Sequence, residues 1–537
     1  MVVVARDIKP MPNKVPVFTD QHAAKYLRRG FDDLMKGDHA SAGNCAALVL
    51  KYKPKLAEAH FLVGLIAVES QDWGMVQKAF RAVVNLKEDH AAAWAQLARV
   101  YVKTGHFNTA EKALTKAIEY GSDDPLVLDV IGTAYTLIGD QEAALKNFTA
   151  ACELADNPMF EMNKAQCLLY MGKFDETRAS LEKVIKAIPH HPTAHFTLSR
   201  LEKAKNTDHI EEILSVLKRF PADNPQIASL YFGLGKEYED LEMWPEAFEA
   251  FDNGTRIRRT EIEYDEAYEI ETFKALEETF TKEWLANVDE GFDTAAPIFI
   301  IGQPRTGTTL TERILTARDD VHSAGELPQF GMNLKRMTKA ASSNMISAEA
   351  VREAAKLDVK ALGQLFMDTT QSVRGDKPRF VDKLPLNYLY APLIAAALPN
   401  AKIIHVTRDP MDSCFSSFKQ LFAEAYYHSY EQGEMARHHV RYRKLMAHYK
   451  EVLGDRMHTV AYEDVVADTE GEARDLINFL ELEWQDASLS FHKQKTAVTT
   501  ASAAQVREKT HSRSVGRWMR YESELAQMKA IIDEAKV

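Results

Sequence analysis

The chain of 537 residues is poor in cysteine, with only Cys45, Cys152, Cys167 and Cys414, scattered and without a C-x-x-C pair. That argues against both a disulfide framework and a zinc site, and a reducing, cytoplasmic setting is the expectation. Long apolar runs are missing too. The start, MVVVARDIKPMPNKVPVF, turns to charges and prolines after one short apolar patch, so it reads neither as a signal peptide nor as a membrane anchor. No surplus of positive charge exists: the formal net charge is −12, which speaks against general nucleic-acid binding. What remains is ordinary globular composition, 46% apolar and 27% charged, in a chain too long for one typical core.

Charge and pattern divide the chain in two. From residue 296 onward there are about 32 basic against 31 acidic residues, and roughly 34 against 47 before it, so the acidic excess belongs to the N-terminal half. In that half, small residues recur at Gly30, Gly64, Ala98, Gly132, Ala165, Ser199 and Gly235, at intervals of about 34 residues. Other columns repeat with them. Trp94, Leu97, Ala98 and Tyr101, followed by Ala110 and Ala117, form one unit. Leu128, Ile131, Gly132, Tyr135, Ala144, Phe148 and Ala151 repeat its spacing. Turn glycines stand at Gly37, Gly105, Gly139 and Gly172, and prolines close units at Pro54 and Pro189.

This pattern resembles the tetratricopeptide-repeat family, which implies an α-helical solenoid of about seven units. Each helix pair cannot bury its apolar face alone, so stacking makes the core. The expected organisation is an N-terminal extension over 1–20, the repeat array over 21–260, capping and linker helices over 261–295 and a second domain over 296–537. A distorted repeat is expected around Ser199 to Lys205, where the aromatic and glycine landmarks are absent. The array reads as a scaffold without chemistry of its own, with a concave face that can take an acceptor or a protein partner.

After Pro297 the pattern changes to short apolar runs between helical segments. PIFIIG, RFVDKL, AKIIHVTR and MHTVAYED are the candidate strands, and their alternation with helices predicts a parallel, doubly wound α/β sheet. In such sheets ligands sit beyond the carboxyl ends of strands. Arg305, Lys383, Arg408 and Glu463 all follow apolar runs there.

The first run leads into GQPRTGTT. Gly302, four residues, Gly307, Thr308 and Thr309 match a P-loop except that Thr308 stands where the lysine belongs. The only cation inside the loop is Arg305. A strand, tight loop and helix start of this kind aims backbone N–H groups at a phosphate-like group, with Arg305 meeting its oxygens. The plain alternative is an ordinary turn and helix cap. A second constellation is RDPMDSCFS: Arg408 ends a strand, and Ser416 lies two turns along the following helix, so the two can converge on another phosphate. Here the alternative is an N-cap by Asp409 or Asp412 with Arg408 as a surface cation.

PRTGTT followed about a hundred residues later by RDPxDxxxS resembles the family of sulfotransferases that use 3′-phosphoadenosine 5′-phosphosulfate (PAPS). The resemblance implies that Pro304, Arg305, Thr306, Gly307, Thr308 and Thr309 grip the 5′-phosphosulfate, and that Arg408 and Ser416 grip the 3′-phosphate. The domain is more closely similar to the tyrosylprotein sulfotransferase branch. By that similarity Glu326, in VHSAGELPQF, is the general base, Lys383 in VDKLP a catalytic lysine, and Tyr462 a cofactor contact. The closing segment TASAAQVREKTHSRSVGRW is implied to fold over the cofactor, with Ser502 beside Lys383 at the bridging oxygen and Gln505, Arg507, Arg513, Ser514 and Arg517 as polar contacts. Arg520 reads as a solvated cation. The membrane anchor and paired cysteines of the secretory-pathway members are absent. Gln420 stands where those relatives carry a further cofactor arginine, a contact that is missing or supplied by Lys419.

The reaction implied is in-line displacement at sulfur, in which an acceptor oxygen attacks while a phosphate leaves. Glu326 takes the acceptor's proton, its basicity expected to rise by partial burial beside Leu327 and Pro328. Arg305 and Lys383 meet the sulfuryl and bridge oxygens, with pairing to Asp382 as the alternative for Lys383. No metal is called for. Histidine is the other base used by sulfotransferases, but His405 lies inside a strand, and His322, His428 and His438 have no motif around them. Competing readings are a P-loop kinase of a small hydroxylated substrate and a repeat scaffold with a noncatalytic domain. A protein or peptide tyrosine is the acceptor the resemblance favours, with glycan, lipid and small-molecule hydroxyls open.

Overall fold

The computed structural model describes residues 18–339, 346–423, 425–494, 496–499, 505–508 and 510–536. The chain divides into two compact units, one up to Ala134 and one from Tyr135 onward. The first consists of helices in antiparallel pairs, beginning with Asp20–Met35 and His39–Tyr52. Small residues recur because neighbouring side chains press against them. A methyl group on Gly64 would lie 2.6 Å from the Phe80 ring, which is itself fully buried. Helix starts are fixed locally: Asp38 and Asp72 accept the N–H of Ser41 and Met75 at 2.9 Å, satisfying donors that a helix leaves open.

In the second unit the helix pairs continue to Trp244–Thr260, and Gly235 repeats the logic of Gly64, with Phe251 filling the place of a side chain. The distortion near Ser199 has a clear form. Helices Pro192–Ser199 and Asp208–Leu217 have 8 and 10 residues, where Pro158–Met171 and Ile227–Asp240 each have 14. The intervening LEKAKNT has one apolar residue of any size and supports no amphipathic face. Helices Glu266–Thr279 and Lys282–Asn287 then lead into the sheet.

Five parallel strands follow: β1 (Pro297–Gly302), β2 (Val321–Ser323), β3 (Arg379–Asp382), β4 (Lys402–Thr407) and β5 (Met457–Ala461), in the order β2-β3-β1-β4-β5. Four of them coincide with the apolar runs. The fifth, β2, has a single aliphatic residue, and its pairing of His322 with Phe380 makes it a strand. Because strand side chains alternate, β1 feeds two cores. Phe299 and Ile301 join Phe330, Phe366, Tyr388 and Tyr442 on one face, while Ile298 and Ile300 join Ile314, Leu315, Leu476 and Ile477 on the other. Each of these buried side chains contributes about 1.5–3 kcal/mol of transfer free energy.

The last repeats pack onto the sheet domain. Phe232, Ala247 and Phe251 share a core with Phe415, Phe418, Tyr430 and Tyr521. Arg259 forks onto Glu434 at 2.8 and 3.0 Å. Among the described residues no helix is long and apolar enough to cross a membrane.

Candidate functional site

The chain enters the sheet at β1 and then builds to both sides of it, β3 and β2 on one flank and β4 and β5 on the other. A crevice forms at such a switch point, beyond the carboxyl ends of the strands. Gly302 closes β1 against β4 so tightly that a methyl there would sit 2.5 Å from the Val406 carbonyl. The loop then turns through Arg305, whose φ of 68° is a left-handed conformation unusual for a side-chain-bearing residue, and Gly307, with φ 98°. No side chain fits at Gly307, because a methyl would lie 2.6 Å from the Tyr462 ring. The Thr306 hydroxyl donates to the Gln303 carbonyl at 2.8 Å and ties the loop, and Gly307 caps helix Thr308–Thr316. Thr306, Thr308 and Thr309 are buried, so Thr308 leaves the P-loop's lysine position uncharged and short. Pro304 is buried too, its carbonyl accepting the Ser417 hydroxyl at 3.3 Å. Burial, and the neighbouring charges of Arg200 and Arg408, push the Arg305 guanidinium down to about 10. A cation so placed is stabilised by an anion.

Arg408 binds the two halves of the crevice together. It donates to the Arg305 carbonyl at 2.9 Å and to the Ser416 hydroxyl at 3.2 Å, also reaches the Ser514 carbonyl, and stacks 4.8 Å from the centre of the Tyr462 ring. Its buried Nε has no hydrogen-bond partner among the described residues. Asp409 caps helix Pro410–Phe418 by accepting the Asp412 N–H at 2.9 Å, and Glu463 accepts the Asp409 N–H at 2.9 Å. The cap and the convergence of Arg408 with Ser416 therefore coexist. Asp412, fully buried, reaches outward to hold the Gly516 and Trp518 N–H groups at 2.6 and 3.1 Å. Below the loop, Gln303 takes the Ser413 hydroxyl at 3.1 Å and pairs with His439 at 2.8 Å.

On the other flank, Glu326 and Lys383 form an ion pair. The Glu326 side chain is 40% exposed, so it is partly covered, while that of Lys383 is 1% exposed. Lys383 therefore pairs with Glu326 and not with its neighbour Asp382. Asp382 serves the backbone. Its buried carboxyl accepts the N–H of Leu327 and of Leu384, both at 3.2 Å, and the Asn387 amide at 2.9 Å, so one side chain aligns the segments that carry Glu326 and Lys383. Burial pushes that carboxyl well up. Glu312, also buried, accepts the Ser323 hydroxyl at 2.7 Å; burial raises its pKa, and Lys383 opposes the rise.

In the segment after residue 494 the described polar residues make the following contacts within the chain. Ser502 lies outside the described residues. Gln505 and Arg507 share a short 3-10 turn, and the Arg507 guanidinium reaches the carbonyls of Tyr170 and Gln494 at 3.2 and 3.4 Å. Arg513 pairs with Glu508, and Ser514 presents its carbonyl to Arg408. Arg517 pairs with Glu239 of the last repeat at 3.0 Å, as does Lys419 at 2.7 Å, so neither cation stands free to replace the arginine absent at Gln420. Tyr521 adds its hydroxyl to Glu239 at 3.0 Å. Arg520 is exposed and lies over Trp244.

Among the histidines, His405 is a core residue, its Nε2 2.6 Å from the Tyr442 hydroxyl and burial taking it down to about 3. His428 and His438 are not in open polar surroundings: both are buried, ring on ring, against Glu269. Sequence reasoning missed Asp382, Glu239 and Arg200. Only the first carried a signal, as a carboxylate at the carboxyl end of a strand.

A family model described as the sulfotransferase family matches residues 297–486, and a tetratricopeptide-repeat model matches residues 67–132. An uncharacterised protein of Aquifex aeolicus (strain VF5) is 32% identical over 379 residues, which are 68% of this chain and 49% of the relative, so the chain spans about half of that protein's length. A putative protein-tyrosine sulfotransferase of Caenorhabditis briggsae is 27% identical over 235 residues, 41% of this chain and 80% of the relative. Among solved structures, the sulfotransferase domain from the curacin biosynthetic pathway is 16% identical, with a TM-score of 0.31 over 47% of this chain and 99% of that one.

Proposed function

We propose that this chain, whose C-terminal region carries a sulfotransferase-family domain behind tetratricopeptide repeats, transfers a sulfuryl group from PAPS to an acceptor hydroxyl. The observation that carries the reading is the placement of Arg408. One guanidinium spans from the loop carbonyl of Arg305 to the Ser416 hydroxyl and keeps a buried Nε without a partner among the described residues, which supports two adjoining anion sites at one crevice. A cofactor with a phosphate at the 3′ position and a phosphosulfate at the 5′ position has that pair of anions.

The residues present fit such a group. Pro304 to Thr309 form the 5′ cradle, where the absence of a Cβ at Gly307 lets backbone N–H groups approach. Arg408 and Ser416 form the 3′ site, with the Tyr462 ring beside them. When bound, the cofactor supplies the sulfuryl group and departs as 3′-phosphoadenosine 5′-phosphate. Glu326 accepts the acceptor's proton at its carboxylate, which is exposed enough for an incoming hydroxyl to reach. Lys383, dry and immobile, lends its charge to the oxygen that leaves. Asp382 keeps base and lysine in register through the Leu327 and Leu384 N–H groups. Ser502, Gln505, Arg507, Arg513, Ser514 and Arg517 remain candidates for the closing segment. In this reading the arginines brace the segment through the partners described above and, with Ser502, Gln505 and Ser514, supply its polar contacts to the cofactor.

A protein or peptide tyrosine is the acceptor in this reading, supported by the likeness to a putative protein-tyrosine sulfotransferase and by repeats of a kind that hold extended chains. Its compartment is cytoplasmic, supported by the free thiols of Cys45, Cys167 and Cys414. The test is incubation of the full-length protein with sulfur-labelled PAPS and a lysate, followed by separation of protein, glycan and lipid. Label in protein, released as tyrosine sulfate on hydrolysis, supports the reading. Label confined to glycan or lipid overturns the acceptor, and label in none of them overturns the activity.

A further inference from the structure

The two shortest helices of the later repeats carry histidines that face each other. His195, on Pro192–Ser199, is fully buried, and His209 stands in the first turn of Asp208–Leu217. His195 Nδ1 and His209 Nε2 are 3.1 Å apart. The outer nitrogen of each ring is already committed. His195 Nε2 lies 3.0 Å from the Pro189 carbonyl, and His209 Nδ1 lies 2.5 Å from a Glu237 carboxylate oxygen. Both of these partners accept, so each outer nitrogen carries the N–H, and a neutral imidazole has only one. The inner nitrogens are then two lone pairs aimed at one point. Glu212, one turn beyond His209 on the same helix face, brings a third donor, and its oxygen and the two inner nitrogens all lie within 4.8 Å of one another.

We propose that His195, His209 and Glu212 bind a zinc ion that joins these two helices, with water completing the coordination. Two imidazoles and a carboxylate are ligands zinc takes at about 2.0–2.2 Å, and donors at that range in a tetrahedron lie about 3.3 Å apart, close to the separation of the ring nitrogens. An outer carbonyl on one histidine and an outer carboxylate on the other are the second layer that fixes tautomer and ring orientation at metal-bound imidazoles. The second oxygen of Glu237 is buried and has no hydrogen-bond partner among the described residues, and a cation held through His209 gives that charge a counterpart. The location has a purpose as well. Helices of 8 and 10 residues, joined by the non-helical 200–207 stretch, are shorter than their 14-residue neighbours, and a metal would tie them to each other. Helix Ile227–Asp240 backs the site with Glu237 and meets Lys419 and Arg517 with Glu239, so the staple stiffens the helix that braces the sheet domain.

The experiment strips the full-length protein with a chelator, adds zinc chloride, desalts, and measures zinc by elemental analysis and stability by thermal melting. One zinc per chain, a higher melting temperature with zinc, and a visible tetrahedral absorption band with cobalt(II) are expected. His195→Asn is expected to abolish uptake. Because that variant disturbs a buried position, Glu212→Gln is measured beside it: it alters an exposed side chain, keeps the circular dichroism spectrum, and should weaken zinc binding about tenfold or more. No retained zinc overturns the proposal, as does equal affinity in Glu212→Gln and wild type. A pair of histidines merely sharing a proton would produce either of those results.

Discussion

Lys383 and Glu326 divide labour through their exposure. The lysine, 1% exposed, is ion-paired with the carboxylate, which at 40% exposed remains open to an incoming hydroxyl. Removing the base should therefore affect turnover more than cofactor affinity. Glu326→Gln is expected to lower kcat by about 10²–10⁴-fold, measured as sulfate transfer, while cofactor affinity by calorimetry changes little. Glu312, whose buried carboxyl also faces Lys383, leaves the ammonium a counter-charge, so the variant should fold. Lys383→Met should lower kcat by about 10²–10³-fold through loss of charge at the leaving oxygen. Unchanged turnover in both variants would remove the catalytic assignment. Arg408 belongs to recognition. Arg408→Met is expected to weaken 3′-phosphoadenosine 5′-phosphate by about 10–100-fold and to leave adenosine 5′-phosphate nearly unaffected; equal losses for both would mean that Arg408 does not read the 3′ position.

At the scale of elements, the contact between helix Ile227–Asp240 and the segment around Arg517 has one buried centre. Burial by itself would raise the Glu239 carboxyl, yet the charges of Lys419 and Arg517, with bonds from Lys419 and Tyr521, hold it below the usual carboxylate range. A depressed carboxyl stabilises the fold above the pKa of the unfolded chain, about 4.3, and this contribution is lost as pH falls through the folded value. Glu239→Gln takes the buried counter-charge from the partly exposed Lys419 and Arg517 and is expected to cost about 3 kcal/mol near neutral pH. Denaturant titrations of both proteins should show the gap narrowing below about pH 4. A gap independent of pH would mean that charge plays no part there. The same elements explain what the sequence could disclose. Runs such as IFII and KIIHV are long enough to declare a buried strand, whereas the three residues of β2 become a strand only by pairing with β3. The loop from Gly302 to Thr309 was legible because its glycines and threonines are set by local backbone demands. Arg507, Arg513 and Arg517 were legible as cations only. Their partners, the Tyr170 carbonyl, Glu508 and Glu239, are brought by tertiary packing, and two of the three lie in the repeats.

At the scale of the molecule, the repeats from Tyr135 onward and the sheet domain form one compact unit, so the array is more than an appendage to an enzyme. Arg200, at the end of a shortened repeat helix, is close enough to depress the Arg305 guanidinium, and the Tyr170 carbonyl receives both Arg507 and the Val498 N–H. The regular 34-residue period announced the solenoid, but the places where it touches the site are those where the period is broken or where a polar residue interrupts an apolar face. In the proposed reading, that arrangement would put an acceptor held by these later repeats next to the crevice. Everything in it depends on the crevice taking a nucleotide with two separated anions. The most direct measurement is calorimetric titration of the full-length protein with 3′-phosphoadenosine 5′-phosphate and, in parallel, with adenosine 5′-phosphate. Micromolar or tighter binding of the first, at least about tenfold tighter than the second, is the expected result. No binding of the first, or equal binding of the two, would contradict the account.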